Sequence, residues 1–172
     1  MNHNRILFIT TKNVDYLRNV QEIRLLKEKN AEVTVIGSYS RKYLNRLFYV
    51  YRRLLTVKAS DYGEVFIGFA PQLVLPFWKK KFRKNTVVID FFISMYDTLV
   101  NDRKVFSEKS VPAKLLRWLD RKTVECADQI IVDTNADGKY FEEEFGAEKK
   151  KIKTLYLEAD KAIYYPRRVE KP

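Results

Sequence analysis

The sequence predicts an α/β fold: a doubly wound, mainly parallel sheet of about six strands with helices on both faces. Three observations carry that expectation. Residues 86–90 and 129–132 are short apolar runs that end in polar groups, Asp90 in one case and Asp133–Thr134 in the other. Similar runs recur along the chain with a helix-length interval between them, the spacing of strand–helix–strand crossovers. No repeat, low-complexity tract or internal linker interrupts the series, and 172 residues suit one well-buried domain.

Residues 5–10 read as the first buried strand, followed by the polar loop of residues 11–15. Residues 18–29 form an amphipathic helix with Val20, Ile23 and Leu26 on one side. Residues 31–36 give a second strand closed by Gly37, which makes the first two strands adjacent and parallel. Residues 41–57 are the most regular helix. Leu44, Leu47, Phe48, Tyr51, Leu54 and Leu55 make a continuous stripe flanked by Arg41, Lys42, Arg46, Arg52 and Arg53. Two placements fit that pattern: the stripe packs on the sheet as a crossover helix, or the helix lies on an anionic membrane.

A third strand follows at residues 64–69, and Pro71 starts a helix over residues 72–82 that runs into Lys79, Lys80 and Lys81. The fourth strand is residues 86–90. Residues 91–104 then read as a long linker of mixed apolar and charged character. Ser110 and Pro112 start a helix running to about Cys126. After the strand at 129–132, Thr134 or Asn135 caps a helix that stops at Phe145–Gly146. Residues 152–157 are the sixth strand.

Composition narrows the function classes. With 46% hydrophobic and 14% aromatic residues the chain builds a true core. No apolar run reaches the ~18 residues of a membrane span, and residues 1–5 lead directly into a strand instead of a secretion signal. A cytoplasmic protein is expected. The single Cys126 has no partner for a disulfide or a zinc site and reads as a buried helix residue.

The net charge is +11, concentrated in residues 41–84, where eleven Lys and Arg face only Asp61 and Glu64. Such a surface either keeps the protein soluble or attracts phosphates, anionic lipid or nucleic acid. The five glycines form neither a dinucleotide fingerprint nor a P-loop, and there is no nucleophile elbow. His3 is the only histidine, which excludes a Ser–His or Cys–His nucleophilic site within the chain. No metal-ligand cluster stands out.

What remains is a set of polar groups at strand ends: Thr11, Lys12 and Asn13; Ser38; Asp90, Ser94 and Asp97; Asp133, Thr134 and Asn135. In an open parallel sheet these converge on one edge. Helix capping accounts for Asp133–Thr134. No local structural need accounts for Asp97, Asp102 and Arg103; Arg103 either holds a phosphate or carboxylate or pairs with Asp102.

In order along the chain, four segments resemble the N-terminal half of a GT-B glycosyltransferase of the group 1, or family 4, type. They are residues 5–10; residues 87–90 with Tyr96–Asp97 and Asp102–Arg103–Lys104; Asp120 with residues 127–134; and residues 152–157 with Ala159–Asp160 and Tyr165–Pro166. The resemblance implies a Rossmann-like domain over residues 1–166, the start of an interdomain linker at 167–172, and a nucleotide-sugar domain beyond. It implies a retaining enzyme without a bound metal, whose first domain holds a glycan or lipid-linked acceptor and binds no cofactor itself. The nucleotide-sugar donor belongs to the second domain. The acceptor or cleft candidates are Lys12, Asn13, Asp90, Ser94, Asp97 and Arg103. Thr11-Lys12-Asn13 stands where the family commonly has glycines, and Asp90-Phe91-Phe92 where many members have a histidine, so no catalytic residue carries over. This stretch alone is expected to be inactive and to self-associate through an exposed cleft wall. Arg41, Lys42, Arg46, Arg52, Arg53, Lys79, Lys80 and Lys81 are the candidates for contact with an anionic membrane on its cytoplasmic side. Nucleic acid is not an expected partner, although a non-catalytic module binding polyanions through residues 41–84 is the rival reading.

Overall fold

The computed structural model describes residues 4–29 and 31–158. Its six strands are β1 (Arg5–Ile9), β2 (Glu32–Ile36), β3 (Glu64–Ile67), β4 (Thr86–Asp90), β5 (Gln129–Val132) and β6 (Ile152–Thr154). They form one all-parallel sheet in the order β2-β1-β3-β4-β5-β6. The fold is α/β and Rossmann-like. Winding runs outward from β1 to β2, then reverses and fills the other side from β3 onward. At such a reversal neighbouring loops part, leaving a crevice at the carboxyl ends of β1 and β3. The register aligns those ends, since Ile9 lies opposite both Ile36 and Ile67, and Ile67 lies opposite Ile89.

Side chains alternate across the sheet. Leu7, Ile9, Val65, Ile67, Val87 and Ile89 enter one cluster with the helices α2 (Tyr43–Thr56), α3 (Leu75–Trp78), α4 (Val111–Cys126) and α5 (Asn135–Phe145). Ile6, Phe8, Phe66 and Val88 enter the other, under Ile23 and Leu26 of α1 (Leu17–Glu28). There the Phe8 and Phe66 rings stack 5.2 Å apart. Gly68 permits the close approach of α1, because a Cβ there would lie 3.2 Å from both Asn19 Oδ1 and the Phe8 ring.

All six expected strands form. β3 and β6 end earlier than residues 69 and 157, as the chain turns at both places toward α1. Helix α4 is capped by Ser110 Oγ, which accepts from the Ala113 amide, and α5 by Thr134 Oγ1, which accepts from the Asp137 amide. Gly146 closes α5 in the left-handed region at φ 71°.

Four expectations change. The helix expected over residues 72–82 is a 3₁₀ turn at Pro71–Leu73 followed by the single turn of α3. Pro71 and Pro76 each suit only the start of a helix, so one continuous helix is broken between them. In α1 Ile23 and Leu26 pack on the sheet as expected, but Val20 is exposed and the most deeply buried positions are polar: Arg18, Asn19, Gln21 and Glu22.

In α2 the buried groups are Arg46, Val50 and Leu54, and half of the apolar stripe, Leu44, Phe48 and Leu55, faces solvent. Arg46 sets that rotation. Its guanidinium donates to the carbonyls of Thr11, Ser40 and Arg41 at 3.1, 2.7 and 3.0 Å. Arg46 therefore leaves the set of membrane-surface candidates.

The fourth change is the linker at 91–104, which is ordered. Asp97–Asp102 form a π-helical turn, with the Arg103 amide donating to the Thr98 carbonyl. Its anchor is Asp120 on α4, fully buried. The Asp120 carboxylate accepts from Ser94 Oγ at 2.8 Å, the Tyr96 and Met95 amides at 2.8 and 3.2 Å, and Gln72 Nε2 at 2.9 Å. Gln72 also donates to the Ile93 carbonyl. Residues 159–172, including Ala159–Asp160, Tyr165–Pro166 and the expected linker at 167–172, lie outside the described residues.

Removing an acceptor that serves four buried donors leaves each of them desolvated and unpaired. Asp120→Ala is expected to cost roughly 3 kcal/mol or more in urea unfolding. A loss below about 1 kcal/mol would show that the 93–97 segment is held by other contacts.

Candidate functional site at the carboxyl edge of the sheet

The loop after β1 is fixed before any ligand arrives. Thr10 Oγ1 accepts from the Lys12 amide and donates to Asn19 Oδ1, and Asn19 Nδ2 donates to the Asn13 carbonyl at 2.7 Å. Thr11 Oγ1 donates to the Phe69 carbonyl at 2.9 Å, tying the loop after β1 to the loop after β3. This places Lys12 and Asn13 at the reversal of winding. Asn13 Oδ1 is buried and has no hydrogen-bond partner among the described residues, an unusual state for a buried amide oxygen.

Three half-buried rings run along this edge. Tyr16 and Phe69 meet edge to face with centroids 5.9 Å apart, and Phe69 meets Phe92 at 5.9 Å. Lys12 Nζ lies over Tyr16 at 5.4 Å and over Phe69 at 5.0 Å, and the Arg18 guanidinium lies over Phe92 at 4.9 Å. Cations on ring faces of this kind hold both partners in place.

Beneath the row is an ion cluster at the ends of β4 and β5. Arg18 grips Asp90 through two bonds, Nε to Oδ2 at 2.7 Å and Nη2 to Oδ1 at 2.6 Å. Its Nη1 pairs with Asp133 and donates to the Leu155 carbonyl at 3.2 Å. Glu22, one turn along α1, lies 3.6 Å from Arg18 Nε. Arg18, Asp90 and Glu22 are each no more than 2% exposed.

One buried cation thus faces three acids. Burial, and then the neighbouring Asp90, pushes the Glu22 carboxyl well above the usual carboxylate range. Burial also raises Asp90 and Asp133, each opposed by Arg18. Glu22 is the member pushed furthest toward its neutral form, because Asp90 and Asp133 hold the shorter contacts to the guanidinium. The Arg18 side chain fills the space between the acids that a metal cation would otherwise need.

The predicted site residues separate into three groups. Lys12 and Asn13 stand in the crevice. Asp90 lies beneath it and is fully engaged by Arg18. Ser94 is buried against Asp120, and Asp97 accepts from Asn101 Nδ2 at 2.9 Å, so these two belong to the ordered 94–102 turn; Arg103 is exposed just after it. Sequence reasoning missed Arg18, Glu22, Tyr16, Phe69 and Phe92. Only Phe92 carried a signal, as part of the aromatic pair that follows Asp90. No protein-family model matches this chain, and no curated protein matches it either.

An acid whose folded value is raised binds its proton more tightly in the native state. It therefore destabilises the fold as pH rises from the ordinary Glu value of about 4.3 toward the raised value. Relative to wild type, Glu22→Gln keeps shape and loses that penalty. Melting temperatures of the two proteins are expected to agree near pH 4 and diverge in favour of Glu22→Gln as pH increases. A constant difference across pH would remove Glu22 as the titrating member.

Proposed function

We propose that this chain is the acceptor-side domain of a retaining GT-B glycosyltransferase. In this reading it works with a second domain that binds the nucleotide-sugar, and the 172 residues alone do not turn over. The observation that carries the reading is the ring row Tyr16–Phe69–Phe92 beside Lys12 and the unpartnered Asn13 Oδ1, set at the reversal of winding. A sugar presents C–H faces that pack on aromatic rings and hydroxyls that need donors and acceptors. A half-apolar crevice with a few fixed polar groups offers both. The ordered resemblance in sequence supports the same class by analogy.

The chemistry assigned to this domain is positioning. Lys12 and Asn13 orient an acceptor hydroxyl, and the rigid loop after β1 spares the cost of ordering it at each encounter. Charge on the departing diphosphate is met from the partner domain. Asp90, spent on Arg18, is a support for Phe92 and not a base. The acceptor is a glycan or a lipid-linked sugar, and the cytoplasmic, membrane-peripheral setting belongs to the same proposal.

The rival reading, a polyanion-binding module without catalysis, draws on the net charge of +11. Chemical-shift mapping of the 172-residue chain with neutral di- and trisaccharides separates the two. Shifts confined to Lys12, Asn13, Tyr16, Phe69 and Phe92, reduced about tenfold or more in affinity by Phe69→Ala, are the expected result. Shifts confined to the basic face on adding heparin or RNA, with none from sugars, would overturn the acceptor reading.

A further inference from the structure

Helix α2 presents a surface that the fold itself does not use. Leu44, Phe48 and Leu55 are 76%, 72% and 71% exposed. At 100° per residue they share one ridge, about a third of a turn from the buried Val50 and Leu54. The rotation is fixed from inside, because the buried Arg46 is bound to three carbonyls and cannot swing out to let the ridge turn inward.

The charge beside the ridge is of one sign. Residues 41–58 contain six basic residues and no acid. Apart from Arg46 these are exposed, and Arg52 falls next to the ridge on its solvent side. The flanking α3 extends the same character. Trp78 meets Tyr51 of α2 edge to face at 5.6 Å, and Tyr51 Oη donates to the Leu73 carbonyl at 2.6 Å. The Lys79–Lys81 run therefore leaves the fold alongside α2.

We propose that this face docks on an anionic lipid bilayer, with α2 lying in the membrane plane, its apolar ridge among the acyl-chain ends and its arginines at the phosphates. Three large apolar side chains on one ridge, without a small residue or an acid between them, match the boundary between headgroups and acyl chains. A basic margin without acids complements a phosphate surface, each Lys or Arg adding roughly a fivefold increase in affinity. A second copy of this chain would bring the same positive margins together, which disfavours self-pairing through this face. This inference uses only the α2–α3 surface and does not depend on the acceptor crevice.

The test is co-sedimentation of the 172-residue chain with vesicles of phosphatidylcholine alone and of phosphatidylcholine mixed with phosphatidylglycerol. Binding to the mixed vesicles only, weakened by salt, is expected. Leu44→Gln, Phe48→Gln and Leu55→Gln together leave the core untouched and are expected to lower that binding at least tenfold. Arg52→Glu with Arg53→Glu is expected to lower it roughly 10- to 100-fold. Circular dichroism establishes that both variants fold, and sugar binding in the crevice is expected to be unchanged in each. Equal binding to both vesicle types, no binding to either, wild-type binding by the folded variants, or dimerisation lost in the ridge variant without any lipid binding would each overturn the proposal.

Discussion

The buried guanidinium of Arg18 is the point through which the functional edge is assembled. It joins α1 to Asp90 at the end of β4, to Asp133 just past β5 and to the Leu155 carbonyl just past β6. Removing an ion from water costs several kcal/mol, and only dense pairing offsets that cost. The planar fork supplies it, because one guanidinium presents several donors in fixed directions and two of them meet one carboxylate side by side. The remaining charge imbalance, together with burial, pushes the Glu22 carboxyl well above the usual carboxylate range.

This arrangement decides which polar groups at the sheet edge are free for chemistry. In an open parallel sheet, acids at strand ends invite assignment as catalytic groups. Here two of them, Asp90 and Asp133, are consumed by Arg18, and Asp120 on α4 is taken up by the Ser94–Tyr96 segment together with Gln72. The surface left open is aromatic and cationic, made by Lys12, Tyr16, Phe69 and Phe92. Such a surface suits binding and orientation better than proton transfer, which is why the proposed function places the reaction's charge stabilisation in a partner domain.

The α2 face is a separate consequence of the same economy of buried charge. Arg46 closes the loops after β1 and β2 from below, and in doing so turns half of an apolar stripe outward. A helix whose periodicity fits either a sheet or an anionic membrane thus has two surroundings. Its Val50 and Leu54 belong to the core, and its Leu44–Phe48–Leu55 ridge belongs to the outside.

The strands were legible because each is a short run dominated by apolar residues, Val, Ile and Phe prominent among them, that needs no partner to be recognised, and α4 and α5 because Ser110, Thr134 and Gly146 mark their ends locally. Lys12 and Asn13 could be placed at the crevice because the position after β1 follows from topology alone. Arg18 and Glu22 could not be found this way. On a polar helix they look like any i, i+4 surface pair, and their partners lie 72 or more residues away from Arg18. Phe69 looked like the end of a strand, and Arg46 like one more surface cation. The sequence by itself determined the succession of elements, since apolar periodicity and caps act over a few residues. Only the tertiary structure decided which charges are buried, which acids are spent and which face of α2 is bare, because those outcomes depend on desolvation and pairing between segments far apart in the chain.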